Sequence, residues 1–378
     1  MAHPDAAALG VRIREARVRA DLSQEELASR VGFSGHSVVA KIETGVRKVS
    51  ALELSDIAAA IGIHMIEFFE EPAPAIVSHR ESRTPGATDS TVDARLALLA
   101  REVEFVDSLD GGDGLGLERG PQEQSAPTTV KEAESLAATA RALLGLDSLE
   151  PIPHLVEVVG RVGLIAFSAD VGKDLADAGT VLLRSGAVAF VNSHSNVGRR
   201  RLALAHELGH YLCADDYVID WRVDLYEPKT APIEALLDRF ARALLLPADA
   251  LEEAWASRLE EHGPRRAAAW VAHHYRVDMA TLARRLRETG LADHQTAGIV
   301  RSHRTTRSDI VELDLYVPAE EMAGTTVPRS YEKAVLLLLE HERISRERAL
   351  DLLQGTLGDD DLPAPRTRRD GEIWKYVY

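Results

Sequence analysis

One cysteine, Cys213, occurs in 378 residues. A single thiol excludes an intramolecular disulfide and a zinc ribbon made of cysteine pairs, so Cys213 reads as a small core residue. No run of about 18 or more apolar residues is present, and the opening MAHPDAAALG lacks the basic-then-apolar layout of an export signal. The expectation is a cytoplasmic protein with no membrane partner. Positive charge is also short: 44 Lys and Arg face 60 Asp and Glu, a net charge of −16, so the whole chain would repel a phosphate backbone. No internal repeat and no phosphate loop is found. What remains is enough hydrophobic material, 45% of the residues, for two or three domains with real cores.

Within that chain, His206-Glu207-Leu208-Gly209-His210 carries the clearest chemistry. Leu202, Ala205, Leu208, Gly209 and Leu212 make an apolar helical stripe, and Arg199-Arg200-Arg201 reads as its solvated start. Two imidazoles four residues apart share one helix face, so His206 and His210 can hold one zinc while Glu207 reaches a water on it. Gly209, costly inside a helix, predicts a close approach by another element or by substrate. A catalytic zinc needs a third protein ligand and an open position. Downstream, residues 232–247 predict a helix with proline at both edges and a core face of Leu237, Phe240, Ala241, Leu244 and Leu245. Glu234 borders that stripe and needs a partner. Zinc is the economical one, and Asp238 could accept a hydrogen bond from a ligand histidine. Asp215, Asp216, Asp224 and Glu227 compete as third ligand, and manganese also suits such a donor set.

The run RRRLALAHELGHYLC (199–213), followed by Glu234-x-x-Leu-Asp-x-Phe-Ala-x-x-Leu-Leu-Leu-Pro247, resembles the ImmA/IrrE family of metallopeptidases. The departures from its pattern are Leu237 for Ala, Asp238 for Asn and Leu246 for Met. The resemblance implies zinc on His206, His210 and Glu234, with Glu207 as general base. It also implies a specific repressor as substrate, cut to induce stress, mobile-element or phage-related genes.

Residues 1–71 predict a separate all-helical unit. A basic helix over 11–20 precedes a capping box, Ser23 with Glu26, that opens a helix over 24–31. A glycine-containing turn, 32–35, leads into helices over 36–43 and 51–61. Two short helices joined by such a turn form the helix-turn-helix arrangement. Leu22-Ser23-Gln24-Glu25-Glu26-Leu27-Ala28, Lys41-Ile42-Glu43-Thr44-Gly45 and Ile57-Ala58-Ala59-Ala60-Ile61-Gly62-Ile63 resemble the XRE (Cro/repressor-type) family. Residues 12–48 hold eight basic and five acidic side chains, a net of +3 inside a −16 protein. That contrast marks a double-stranded DNA face. Matching to the family pattern makes Gln24, His36, Ser37 and Lys41 the candidates for base edges, and Arg47 and Lys48 those for phosphate. Operator binding by so small a unit implies a homodimer.

Residues 72–129 read as a flexible linker with one helix, 92–109, able to pair with its copy in a second chain or to pack on the next domain. A metallopeptidase domain is expected over 130–291. Its small sheet includes a run Ala187, Val188, Ala189, Phe190, Val191, Asn192 that is a candidate sheet-edge platform for substrate. His273-His274 could face an oxyanion, although core or surface roles fit the pair better. Residues 292–378 form an extension without a derived role, with a strand-like 310–317 and two further helices. The fold class is α+β and predominantly helical: an all-α helix-turn-helix domain linked to a zincin-like peptidase domain. The alternative function is a non-proteolytic XRE regulator or toxin-antitoxin component with a structural metal site, which four protein ligands would mark.

Overall fold

A computed structural model of the chain describes residues 6–20, 22–61, 68, 76–79, 90–110, 115–117, 123–173, 176–213 and 230–363. The chain divides into two units, residues 1–73 and 74–378. The first is built from α1 (Ala6–Arg19), α2 (Gln24–Val31), α3 (His36–Glu43) and α4 (Ala51–Ile61). The Ser23 hydroxyl accepts the Glu26 N–H at 3.1 Å while the Glu26 carboxylate accepts the Ser23 N–H at 2.7 Å, which satisfies two donors at the helix start. Gly32, at φ 80°, ends α2 in the left-handed conformation that suits glycine. Ile13, Leu27, Val39, Ile42, Leu54 and Ile57 form the core. Buried Arg17 pairs with Glu43 at 2.6 Å and ties α1 to the end of α3.

The second unit runs β1 (Ile76–His79), α5 (Ser90–Asp110), α6 (Val130–Leu143), α7 (Leu155–Gly160), β2 (Leu164–Ala169), β3 (Ala178–Leu182), β4 (Ala187–Asn192), α8 (Val197–Leu212), α9 (Thr230–Leu245), α10 (Ala248–Tyr275), α11 (Met279–Glu288), α12 (His294–Ser302), α13 (Arg307–Glu312), α14 (Arg329–Glu340) and α15 (Arg346–Leu352). The fold is α+β and mainly helical. Its sheet has the order β1-β3-β4-β2, with β3 antiparallel to both neighbours and β2 parallel to β4. Strand alternation gives the sheet two unlike faces. Leu164, Ala166, Ala178, Ala187, Ala189 and Val191 join the core that contains α8 and α9. Ile165, Phe167, Val181, Val188 and Phe190 join a second core with α5, α14 and α15. Alanines dominate the first face, so the backbone of α8 can come close to the sheet.

Three expectations change, and one open alternative closes. Ala187–Asn192 is not an edge: β4 lies between β3 and β2, its hydrogen-bonding groups are already paired, and no substrate strand can add to it. Two of the three arginines are not solvated. Arg201 is fully buried against Glu321 and the Ile152 carbonyl, and Arg200 donates to Glu320 at 2.7 Å. Residues 310–317 form no strand, because the Thr306–Asp309 capping box starts α13 just before them. Of the two partners open to the linker helix, it takes the next domain, burying Leu96, Leu99, Val103 and Val106 against the sheet. Residues of 331–362, Tyr331, Val335, Leu338, Leu352 and Leu362 among them, join the core on the same sheet face, so part of the extension is core.

Two glycines set how closely α8 packs. A Cβ on Gly198 would lie 2.2 Å from the Asp278 backbone nitrogen and 2.7 Å from the Val277 carbonyl carbon. On Gly209 it would meet the Phe240 ring at 2.9 Å and Leu237 at 3.1 Å, which is the close approach that this glycine implied. Side chains yield more readily than backbone. Gly209→Ala, which presses on the buried Phe240 ring but gains about 1 kcal/mol of helix propensity, should therefore cost less than Gly198→Ala, which should cost about 2 kcal/mol or more through overpacking against backbone. Urea midpoints of the two variants check this ranking, and equal shifts would contradict it.

Candidate metal centre

Helical spacing brings three ligand atoms together. His206 and His210 lie one turn apart on α8, and Glu234 reaches them from α9, which packs on α8 through Gly209. The two Nε2 atoms are 3.0 Å apart. Glu234 places Oε2 3.2 Å from His206 Nε2 and Oε1 3.5 Å from His210 Nε2. Ligands about 2.0–2.2 Å from a tetrahedral ion stand about 3.3–3.6 Å apart. The donor set therefore fits one divalent ion within a few tenths of an ångström. Both imidazoles are buried, while the Glu234 side chain is 44% exposed, so the cluster opens to solvent on that side. Asp238, one turn along α9, lies 3.1 Å from His206 Nδ1. It orients the ring so that Nε2 faces the cluster. Among the described residues this is the one group of three or more His, Cys, Asp or Glu side chains with metal-binding spacing. Asp215, Asp216, Asp224 and Glu227 lie outside the described residues.

Burial depresses the affinity of His206 for a proton, yet hydrogen bonds to Asp238 and Glu234 outweigh it and raise the pKa to about 9. Glu234 responds in the opposite sense: burial would raise it, but both histidines hold its carboxyl far below the usual range. A divalent ion at this cluster would take the place of the shared proton. Glu207 differs. Burial pushes its pKa upward, against the pull of His210, His206 and Thr180. The Thr180 hydroxyl donates to Oε2 at 2.8 Å, and Oε1 is buried with no hydrogen-bond partner.

Thr180 was not singled out in the sequence. The available signal was a polar residue at the position two along from Ala178, on the β3 face turned to α8. His273 and His274 are engaged elsewhere, the first on the Tyr316 carbonyl and the second stacked on Trp270 at 4.6 Å.

In the first unit His36, Ser37 and Lys41 are exposed along α3. Ser37 and Lys41 share a face at i, i+4 spacing. Lys48 is also exposed. Gln24 is half-buried and donates its amide to Glu43 at 2.7 Å. Arg47 is held by Glu53 at 2.6 Å and lies over the Phe33 ring. Both have partners that a DNA contact would have to replace.

Similarity to known proteins divides along the same chain. No curated protein matches it. Over 95% of this chain and 100% of the other, the structure is similar, at 16% identity and a TM-score of 0.16, to the competence regulator ComR from Streptococcus vestibularis in complex with its cognate signaling peptide XIP; so low a score bears on neither fold nor function. Residues 13–68 match the family model described as Helix-turn-helix, and residues 170–287 match that of the IrrE N-terminal-like domain, a peptidase family. The chain thus combines an XRE-type helix-turn-helix domain with an IrrE/ImmA-like metallopeptidase-type domain.

Proposed function

We propose that this chain is a cytoplasmic, operator-binding regulator, acting as a homodimer, whose second unit is a zinc endopeptidase that cuts a specific repressor. The observation that carries the peptidase reading is Glu207: a buried carboxylate beside the His206–His210–Glu234 cluster, with one oxygen held by Thr180 and the other unpartnered. An orphaned buried acceptor costs roughly 1–3 kcal/mol, and a proton delivered during reaction removes that cost. Zinc, when bound, would polarise the scissile carbonyl and acidify a water. Glu207 then takes the water's proton on Oε1 and returns it to the leaving amine. Thr180 fixes the carboxylate plane through Oε2, and Asp238 keeps the His206 ring in register. The repressor substrate, and its stress, mobile-element or phage-related genes, rest on the likeness to the ImmA/IrrE family. Co-expression with candidate repressors, read by mass spectrometry for a fragment that vanishes in Glu207→Gln, tests this function.

The residues should separate by role. His206→Ala, His210→Ala and Glu234→Ala each remove a ligand, so metal content and cleavage fall together. Glu207→Gln keeps metal while turnover drops about 10²-fold or more. Thr180→Val also keeps metal, with turnover down about tenfold from the lost charge-assisted hydrogen bond. Metal analysis beside a cleavage assay checks the order, and the same analysis separates zinc from manganese. Full metal retention in Glu234→Ala would move the third ligand elsewhere. Wild-type cutting by Glu207→Gln would leave a regulator with a structural ion.

DNA binding by the full chain should weaken steeply with salt as counterions are released. Lys41→Ala should lose discrimination between operator and scrambled duplex, whereas Lys48→Ala should weaken both alike. Mobility-shift titrations decide between these outcomes, and equal wild-type affinity for the two duplexes rules out operator recognition.

A further inference from the structure

β3 carries Thr180 against Glu207 beside the metal cluster and, like β4, is paired on both sides. Its outer side is covered by the short strand β1. β1 pairs with it antiparallel, Ile76 opposite Val181, Ser78 opposite Thr180 and His79 opposite Gly179, and runs alongside α8. An extended peptide added to a sheet edge is held by main-chain hydrogen bonds and so tolerates varied sequence. We propose that the β3 edge is the peptide-binding strand of the second unit, and that residues 76–79 are its built-in ligand, which any other extended peptide must displace.

Two features support displacement over permanent pairing. β1 is four residues long, so few ladder bonds hold it. Its register slips between Ile76 and Ser78, as at a bulge, which interrupts the ladder in the middle. The binding stands on strand pairing alone; its consequence, a masked peptidase, rests on the peptidase function proposed above.

The test uses the full chain with Glu207→Gln, so that nothing is cut. A fluorescein-labelled peptide with the sequence of residues 74–81 is titrated by anisotropy against this protein, and against the same protein carrying Ser78→Pro, which removes a backbone donor from β1. A second variant replaces residues 76–79 with Gly-Ser-Gly-Ser, so that a proline-specific folding defect is separated from loss of the strand. Both variants should bind the peptide at least tenfold more tightly. Amide exchange across 178–182 should rise in both and fall again with peptide bound. Undetectable binding, equal affinity in all three proteins, or exchange at 178–182 that ignores the variants, overturns the proposal. If tight binding appears while no repressor fragment depends on Glu207, the masking stands and the peptidase function falls.

Discussion

The close approach of α8 to both of its neighbours is the constraint on which the second unit depends. Toward the sheet, Ala166, Ala178, Ala187 and Ala189 leave room for the helix, and Thr180 can then reach Glu207. Toward α9, Gly209 admits Leu237 and Phe240, which brings Glu234 and Asp238 level with the two imidazoles. Larger residues on either surface would separate groups that must lie about 3 Å apart to act together. The opposite sheet face has no such demand, and it carries Phe167 and Phe190 under α5 and α14.

Charge pairs fix the same elements from behind. Arg239 meets Glu134 at 2.5 Å and Arg242 meets Glu288 at 2.9 Å, so α9 is tied to α6 and α11. Arg285, fully buried, closes the set on Glu134. Buried ion pairs add little net stability once desolvation is counted, but breaking one partner is costly. Their effect here is positional. With α9 fastened at Arg239 and Arg242, Asp238 stands with one oxygen 3.1 Å from His206 Nδ1 and the other 3.7 Å from Arg242.

Local periodicity explains what the sequence reveals. His206 and His210, Glu234 with its Leu237–Ala241 stripe, and the Ser23–Glu26 capping box are all short-range patterns. Each is found where expected. The misplaced features depend on long-range partners. Arg200 and Arg201 look solvated until Glu320 and Glu321, about 120 residues on, arrive beside them. Ala187–Asn192 has the composition of any buried strand, and nothing local says that β2, earlier in sequence, pairs on one side and β3 on the other. Thr180 is legible only after the sheet is oriented, because period-2 alternation gives a face without naming what lies opposite. The +3 segment of the first unit has the same limit: charge marks the region, yet Arg47 spends its guanidinium on Glu53.

Glu207 also bears on whether the metal centre is a scaffold or a reaction site. A purely structural ion is served by ligands that close its coordination, and a neighbouring carboxylate adds only desolvation cost. Here the carboxylate is buried, its pKa is raised by that burial, and its free oxygen faces no donor. Replacing it with an apolar residue of similar shape would relieve the fold of a buried oxygen without a partner. A chain under pressure for stability alone has no physical reason to keep such a group. One that must hold a proton briefly, within reach of a water and a leaving amine, does. Glu234 adds to this reading, since its 44% exposure leaves the cluster accessible from solvent, as an entering peptide requires.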